Sequence, residues 1–374
     1  MKKIAVFHPS TELYGADRIM VLATKALIEY QAVIYLPSNG PLLDLIRTEI
    51  PTAEIKILEG MPIISRSLFT PKGALSTLNK YIKFRSFIKR ECQIHNFEQI
   101  YINTLACSII LPAIKRLNVP VFTHVHEILE HPRIAAKLTA KLAFTYSDTV
   151  VSVSQAVQNN LHSQCKKRKA SSIVVHNGIR PIEPKLTIKN KRLTFYLFGR
   201  IKPEKGQWYL LEALRHIPIK ELNKIEVNLV GGTLKGKEYL RVDLEKKIHA
   251  YGLEHIVKIK EFTPDISLEM AKADICLVPS LMKDPFPTTV LEAMSAGKVV
   301  IATDTGGAKE AIIHKETGFI VPSDKPKVLA ATIKKLIRNR VLIEYIGFNA
   351  KTAYKENFTI KHFNERWLAA VPVA

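Results

Sequence analysis

Asp284 and Glu292 are two carboxylates eight residues apart, with Thr288 and Thr289 between them. The neighbouring residues give each of them a place. Asp274 to Val278 is an apolar run that predicts a short buried strand ending at Pro279. Pro285 and Pro287 hold an extended loop, because proline fixes φ and has no N–H to donate. From Thr288 onward, Val290, Leu291 and Met294 recur at helical spacing, and Gly297 ends that helix. Asp284 thus falls on the loop at the carboxyl end of a strand, where open α/β sheets bind ligands. Thr288 and Thr289 fall at the start of a helix, whose free N–H groups and dipole suit a phosphate. Glu292 lies about one turn further along, where a carboxylate accepts from paired sugar hydroxyls. A hydroxyl acceptor, an anion site and a second hydroxyl acceptor suit a nucleotide sugar. A plainer reading stands beside it, with Asp284 capping a turn and Glu292 on a helix surface.

Two cations form a second candidate group. Leu193 to Phe198 predicts a strand, followed at once by Gly199-Arg200-Ile201-Lys202-Pro203-Glu204-Lys205-Gly206. Arg200 and Lys205 on such a loop converge on one diphosphate, the arginine as a bidentate fork and the lysine as a point charge. In so basic a chain, two solvated side chains are the alternative. Gly15, in the strand-to-helix turn Leu13-Tyr14-Gly15-Ala16-Asp17, lets backbone approach a ligand, or simply makes a turn. His124 and His126 alternate in a strand and share a face, but no third residue stands at metal-ligand spacing. A core or surface pair is the reading for them from the residues alone.

These stretches resemble the retaining family 4 glycosyltransferases. The Asp284–Glu292 segment is similar to that family's carboxylate-x7-carboxylate motif, which has Glu at both ends; Asp284 keeps the charge but moves it by about one methylene. Gly199 to Gly206 is similar to the family's Gly-Arg…Pro-x-Lys-Gly signature, which implies that Arg200 and Lys205 bind the donor diphosphate. The resemblance further implies that Asp284 and the Phe286 N–H hold sugar hydroxyls, that the N–H groups at Thr288 and Thr289 hold phosphate, and that Glu292 holds the ribose. The turn around Gly15 resembles a Gly-Gly-Ala-Glu loop facing the donor phosphates and acceptor, with Tyr14 in place of the first glycine and Asp17 in place of the glutamate. Phe262 and Thr263 take the place of base contacts, next to Glu261 where the family has glycine. A family histidine that points toward the donor sugar is matched better by His126 than by His124. Arg200, Lys205, His126 and Asp284 are the catalytic set so implied, with no metal and no cofactor beyond the donor.

The resemblance implies an α/β chain of the GT-B fold: two Rossmann-like parallel-sheet domains with a cleft between them and a C-terminal helix returning to the first. Strand and helix signals alternate along the chain as this requires. The expected division is an acceptor-side domain over 1–176, a Pro- and Lys-rich linker over 177–192 and a nucleotide-sugar domain over 193–345. Helices over 346–374 are expected to pack back on the first domain. Residues 60–73 read as a mobile loop, and Leu78 to Arg90 as a basic amphipathic helix carrying Leu78, Tyr81, Phe84 and Ile88. That helix either sets its apolar face on the core or lies on anionic lipid.

At 374 residues the chain is long enough for two α/β domains. No stretch approaches the ~18 apolar residues of a membrane span, and the start is too short in apolar residues for a signal peptide. The four cysteines are scattered, as expected of reduced thiols in the cytoplasm. The net charge of +21 divides as +10 over residues 1–176 and +11 over the remainder, so it is not a basic tail. Such a spread suits an anionic partner. Nucleic acid is disfavoured, since no strand alternates aromatic and basic residues as a base-stacking sheet requires.

The expectation is a retaining glycosyltransferase of hexosyl type. Its partners are a nucleotide-sugar donor, a lipid-linked or glycan acceptor and an anionic membrane surface. It sits at the inner face of the cell membrane, in surface polysaccharide or glycolipid assembly. The alternative is a non-catalytic GT-B protein that binds a nucleotide sugar or an anionic surface.

Overall fold

The computed structural model describes residues 2–183, 191–263 and 265–371. Its backbone divides into two compact units, residues 1–177 with 363–374, and residues 178–362. Residues 184–190 of the expected linker lie outside the described residues.

The first unit is built on seven parallel strands: β1 (Lys2–Phe7), β2 (Tyr30–Leu36), β3 (Glu54–Ile57), β4 (Gln99–Asn103), β5 (Val121–Val125), β6 (Thr149–Ser152) and β7 (Ser171–Val174). Their order is β3-β2-β1-β4-β5-β6-β7, so the sheet reverses direction of growth between β1 and β4. Register there pairs Ala5 with Ile100 and Phe7 with Ile102. Because both faces are covered, the strands are continuous apolar runs. Ile4 and Val6 face Ile19, Met20 and Ala23 of the helix Gly15–Ala26. Ala5 and Phe7 point the other way, into Phe84 and Ile88 of the helix Pro71–His95. The alternation of faces along one strand thus divides the core into two layers.

The second unit repeats the plan with six parallel strands: β8 (Leu193–Phe198), β9 (Ile225–Val230), β10 (Val257–Lys260), β11 (Ile275–Val278), β12 (Val299–Thr303) and β13 (Phe319–Val321). Their order is β10-β9-β8-β11-β12-β13, and here the reversal lies between β8 and β11. Both sheets are doubly wound, which gives each a ligand-binding position beyond the carboxyl ends of its two central strands.

Three features depart from the sequence reading. The segment taken as a mobile loop holds a short 3-10 turn (Arg66–Phe69), and the basic helix begins at Pro71, where the Gly73 N–H donates to the Thr70 hydroxyl at 3.1 Å. Leu78 does not share the core face of that helix with Phe84 and Ile88 but is 54% exposed. The helix Arg340–Asn357 belongs to the second unit, where Ile346 and Ala350 are buried, and only residues from Phe363 onward join the first. The last helix, Ile360–Ala370, supplies Phe363 and Trp367 to the core of the first unit. Trp367 is fully buried, with ring centroids 5.6 Å from Tyr101, 5.7 Å from Phe122 and 4.6 Å from His124.

Candidate functional site

In the second unit, Arg200 and Lys205 follow β8, and Asp284 follows β11, the two strands that flank the reversal. Two glycines let the loops close on one another. Gly206 has φ +85°, and a Cβ there would lie 1.9 Å from the Pro279 carbonyl oxygen. Gly306 has φ +65°, and a Cβ there would lie 2.0 Å from the carbonyl oxygen of Asp284. Neither contact tolerates a side chain. The Leu281 N–H donates to the Glu204 carbonyl at 2.9 Å, and the Gly307 N–H donates to the Asp284 carbonyl at 2.8 Å. These backbone bonds bring residues 79 apart in sequence into contact, and the Lys205 ammonium donates to Asp284 Oδ2 at 2.8 Å. Both side chains are partly exposed.

The helix Thr288–Ser295 starts just beyond, with Pro287 in the capping position, whose side chain offers no cap. Thr288, Thr289 and Glu292 are half-buried along its first two turns. Phe286 turns inward and packs against Phe358 at 6.0 Å, so what it offers a ligand is its backbone. Arg200 is half-buried, and its carbonyl accepts from the Gln207 side-chain amide at 2.9 Å. Phe262 and Thr263 follow β10, three strands along the sheet from β11. Phe262 is 69% exposed, while the Thr263 hydroxyl donates to the Asp265 carbonyl at 2.8 Å. Glu261 pairs with Arg241.

The first unit carries a second cluster at its own reversal, and most of it escapes a sequence reading. His8 ends β1, Asn103 ends β4 and His126 follows β5. Asp17 Oδ1 accepts from His8 Nε2 at 2.8 Å, and the Asn103 side-chain amide donates to His8 Nδ1 at 2.8 Å. Asn103 Oδ1 accepts from His126 Nε2 at 2.9 Å and from the Tyr101 hydroxyl at 2.7 Å. Tyr101 also meets His124 Nδ1 at 3.0 Å. All six side chains are buried. Burial holds His124 well below the usual imidazole range and lowers His126 to about 3. Glu127 accepts from the Leu105 N–H at 3.1 Å and the His126 N–H at 3.0 Å, and burial pushes its carboxyl up to about 7. Gly15 begins the helix that carries Asp17 and is exposed; a Cβ there would meet nothing within 4 Å, so protein packing does not demand a glycine. The sequence signal for this cluster is a polar residue closing an apolar run: His8 after Ile4–Phe7, Asn103 after Ile100–Ile102, His126 after Val125. Among the described residues, no group of three or more His, Cys, Asp or Glu side chains is placed to hold a metal ion.

Comparison with known proteins bears on the family and the fold. The family model described as Glycosyl transferases group 1 matches residues 179–353, and that described as Glycosyltransferase Family 4 matches residues 31–182. An uncharacterized glycosyltransferase of Methanocaldococcus jannaschii is 27% identical over 64% of this chain and 65% of its own. The amylovoran biosynthesis glycosyltransferase AmsK of Erwinia amylovora is 25% identical over 66% of this chain and 60% of its own. These matches span less than two thirds of the relatives' own length. Among solved structures, Anabaena HepE in complex with UDP superposes with a TM-score of 0.82 at 24% identity, covering 99% of each chain. That likeness is one of fold.

Proposed function

We propose that the chain, whose two doubly wound units have the fold of the GT-B proteins, is a glycosyltransferase that moves a sugar from a nucleoside-diphosphate sugar to an acceptor hydroxyl, with retention and without a metal ion; the two glycosyltransferase family models support this reading. The observation that carries this reading is the convergence of the Arg200–Lys205 loop and the Asp284 loop at the reversal of the second sheet. In this reading the Lys205–Asp284 pair is the resting state of the donor site. A partly exposed pair is worth at most about 1 kcal/mol, so a diphosphate takes Lys205 at little cost and frees Asp284 for a sugar hydroxyl. As the glycosidic bond breaks, negative charge develops on the leaving diphosphate. Arg200, Lys205 and the N–H groups at Thr288 and Thr289 stabilise it, each lost donor costing on the order of 10²–10³ in turnover. The Phe286 N–H takes another sugar hydroxyl, Glu292 the ribose, and Phe262 and Thr263 flank the base. Gly15 leaves room for the donor phosphates, and His126 offers a ring nitrogen to a substrate hydroxyl. Retention follows from attack on the face that the diphosphate leaves.

The test is thermal stability against UDP, GDP, dTDP and ADP sugars, with Lys205→Ala alongside. HepE was solved with UDP-glucose, so UDP sugars come first. A rise of several degrees for one donor, absent in the variant, is expected; no shift with any donor overturns the reading. Binding without turnover in the presence of acceptors would favour a non-catalytic protein.

The acceptor proposed is a lipid-linked or glycan molecule met at an anionic membrane surface on the cytoplasmic side, in surface polysaccharide or glycolipid assembly. What supports it is the helix Pro71–His95. Leu75, Leu78 and Ile82 are 70%, 54% and 55% exposed and form a stripe turned away from the buried Phe84 and Ile88. At helical spacing Lys72, Lys83 and Arg90 flank that stripe on one side and Arg85 on the other, while Lys89 lies on its line further along the helix. An apolar stripe between cations suits the interface of an anionic bilayer. Flotation with anionic vesicles at low salt should carry the protein upward, and Leu75→Ser/Ile82→Ser should not float.

A further inference from the structure

The buried cluster of the first unit holds a chain of hydrogen bonds whose direction is set at one end. Asp17 is a carboxylate with both oxygens engaged: Oδ2 accepts from the Tyr14 backbone N–H at 2.7 Å, and Oδ1 faces His8 Nε2 at 2.8 Å. A carboxylate only accepts, so His8 places its proton on Nε2. The Asn103 side-chain NH₂ faces His8 Nδ1 at 2.8 Å, and an amide NH₂ only donates, so that nitrogen is the acceptor. With the amide so turned, Asn103 Oδ1 faces His126 Nε2 at 2.9 Å and the Tyr101 hydroxyl at 2.7 Å, and both must donate to it. Tyr101, having used its proton, accepts from His124 Nδ1 at 3.0 Å. With the Asn103 NH₂ on His8, the remaining members have one arrangement of donors and acceptors compatible with their neighbours.

We propose that Asp17 is a positioning residue that acts through His8 and Asn103 to fix His126 as the Nε2–H tautomer, with Nδ1 left as a bare hydrogen-bond acceptor. His126 Nδ1 has no partner among the described residues, and the residue retains 9% exposure. The burial that keeps His124 and His126 neutral gives each one proton, which is what makes the choice of tautomer matter. A bare Nδ1 accepts from a substrate hydroxyl and rejects a carbonyl or ether oxygen, so Asp17 selects the polarity of what His126 contacts. That last step rests on the function proposed above; the tautomer does not.

Asp17→Asn provides a sharp test. The Tyr14 N–H is backbone and does not turn, so the new amide must keep its oxygen there and point its NH₂ at His8 Nε2. His8 then moves its proton to Nδ1, Asn103 rotates its amide, and His126 moves its proton from Nε2 to Nδ1. Ring ¹⁵N shifts of histidine-labelled protein, assigned with His126→Gln, read this directly, since protonated and bare ring nitrogens differ widely. The expected result is Nε2–H for His126 in the natural protein and in Asp17→Glu, and Nδ1–H in Asp17→Asn with unchanged circular dichroism. Transfer by Asp17→Asn should fall on the order of 10²-fold. An Nδ1–H tautomer in the natural protein overturns the proposal whether or not any variant folds. An unchanged tautomer in folded Asp17→Asn overturns it as well. The expected tautomers with no transfer to any acceptor would instead count against the proposed function.

Discussion

The two units place polar residues at the same position of the same fold, and they treat them in opposite ways. At the reversal of the first sheet, His8, Asp17, Tyr101, Asn103, His124 and His126 are buried and joined in one hydrogen-bonded chain. At the reversal of the second, Lys205 and Asp284 are partly exposed and meet as a single ion pair on two loops. A buried network with fixed donors and acceptors keeps one geometry and penalises any change in it. A partly exposed pair on two loops exchanges partners more cheaply than a buried network does. Under the function proposed above, the difference separates a place that holds a group still from a place that lets a charged ligand in.

Several substitutions would break that contrast or sharpen it. The largest effect on stability should come from Trp367→Ala, which opens the core beneath His124 and costs about 3–5 kcal/mol. Urea unfolding should show the loss, while the affinity of the second unit for its donor, read by titration of the folded fraction, stays unchanged. Next, Arg200→Ala and Lys205→Ala should each lower turnover on the order of 10²–10³-fold, about 2.7–4 kcal/mol of barrier. The midpoint of unfolding should shift little for Lys205→Ala, because its partner remains partly solvated. A large loss of stability with normal turnover would reverse the roles assigned to the two regions.

Acid should act on the first cluster. His124 and His126 titrate lower in the folded chain than the ordinary value of about 6.5, so unfolding takes up protons and each stabilising contribution is lost as pH falls below about 6.5. Glu127 runs the other way: raised to about 7, it contributes below its ordinary value of about 4.3, and that contribution is lost as pH rises toward 7. Between those limits the carboxyl offsets one histidine; below about pH 4 that offset is gone, and His126 alone contributes a loss of about 1.4 kcal/mol per pH unit until it titrates near 3. Urea midpoints from pH 7 to 3.5 check this, and His126→Gln should flatten the acid limb. The smallest effect should be that of salt. Vesicle flotation should weaken between low and moderate ionic strength as the cations around Leu75, Leu78 and Ile82 are screened.

Much of the architecture was legible because each buried parallel strand is written as an apolar run ending in a turn. Ile4–Phe7, Ile100–Ile102 and Val299–Ala302 read directly as strands. The edge strand β3 was not legible, since Glu54-Ile55-Lys56-Ile57 is short and half polar. The boundary at 346 failed for a different reason. An amphipathic helix shows which face is apolar but not which unit that face meets, and Ile346 belongs to the second core. At the candidate site, residues local to one loop were readable, and long-range pairings were not. Lys205 and Asp284 were separately visible as ligand groups, whereas their pairing depends on the closures at Gly206 and Gly306. The His8–Asn103–His126 chain draws on three strand ends far apart in sequence, and nothing in the spacing of those residues joins them.

The return of the chain's last helix to the first unit sets an order of events during synthesis. Residues 1–177 leave the ribosome first, yet the core face formed by Tyr101 and Phe122 stays open until Phe363 and Trp367 arrive. At ~5–20 residues per second, the intervening stretch takes on the order of 10–40 s to make. For that interval the earlier unit is a nascent domain with an uncovered aromatic surface, and the buried histidine chain beneath Trp367 lacks its lid. The earlier-made half of this protein is therefore the one completed last.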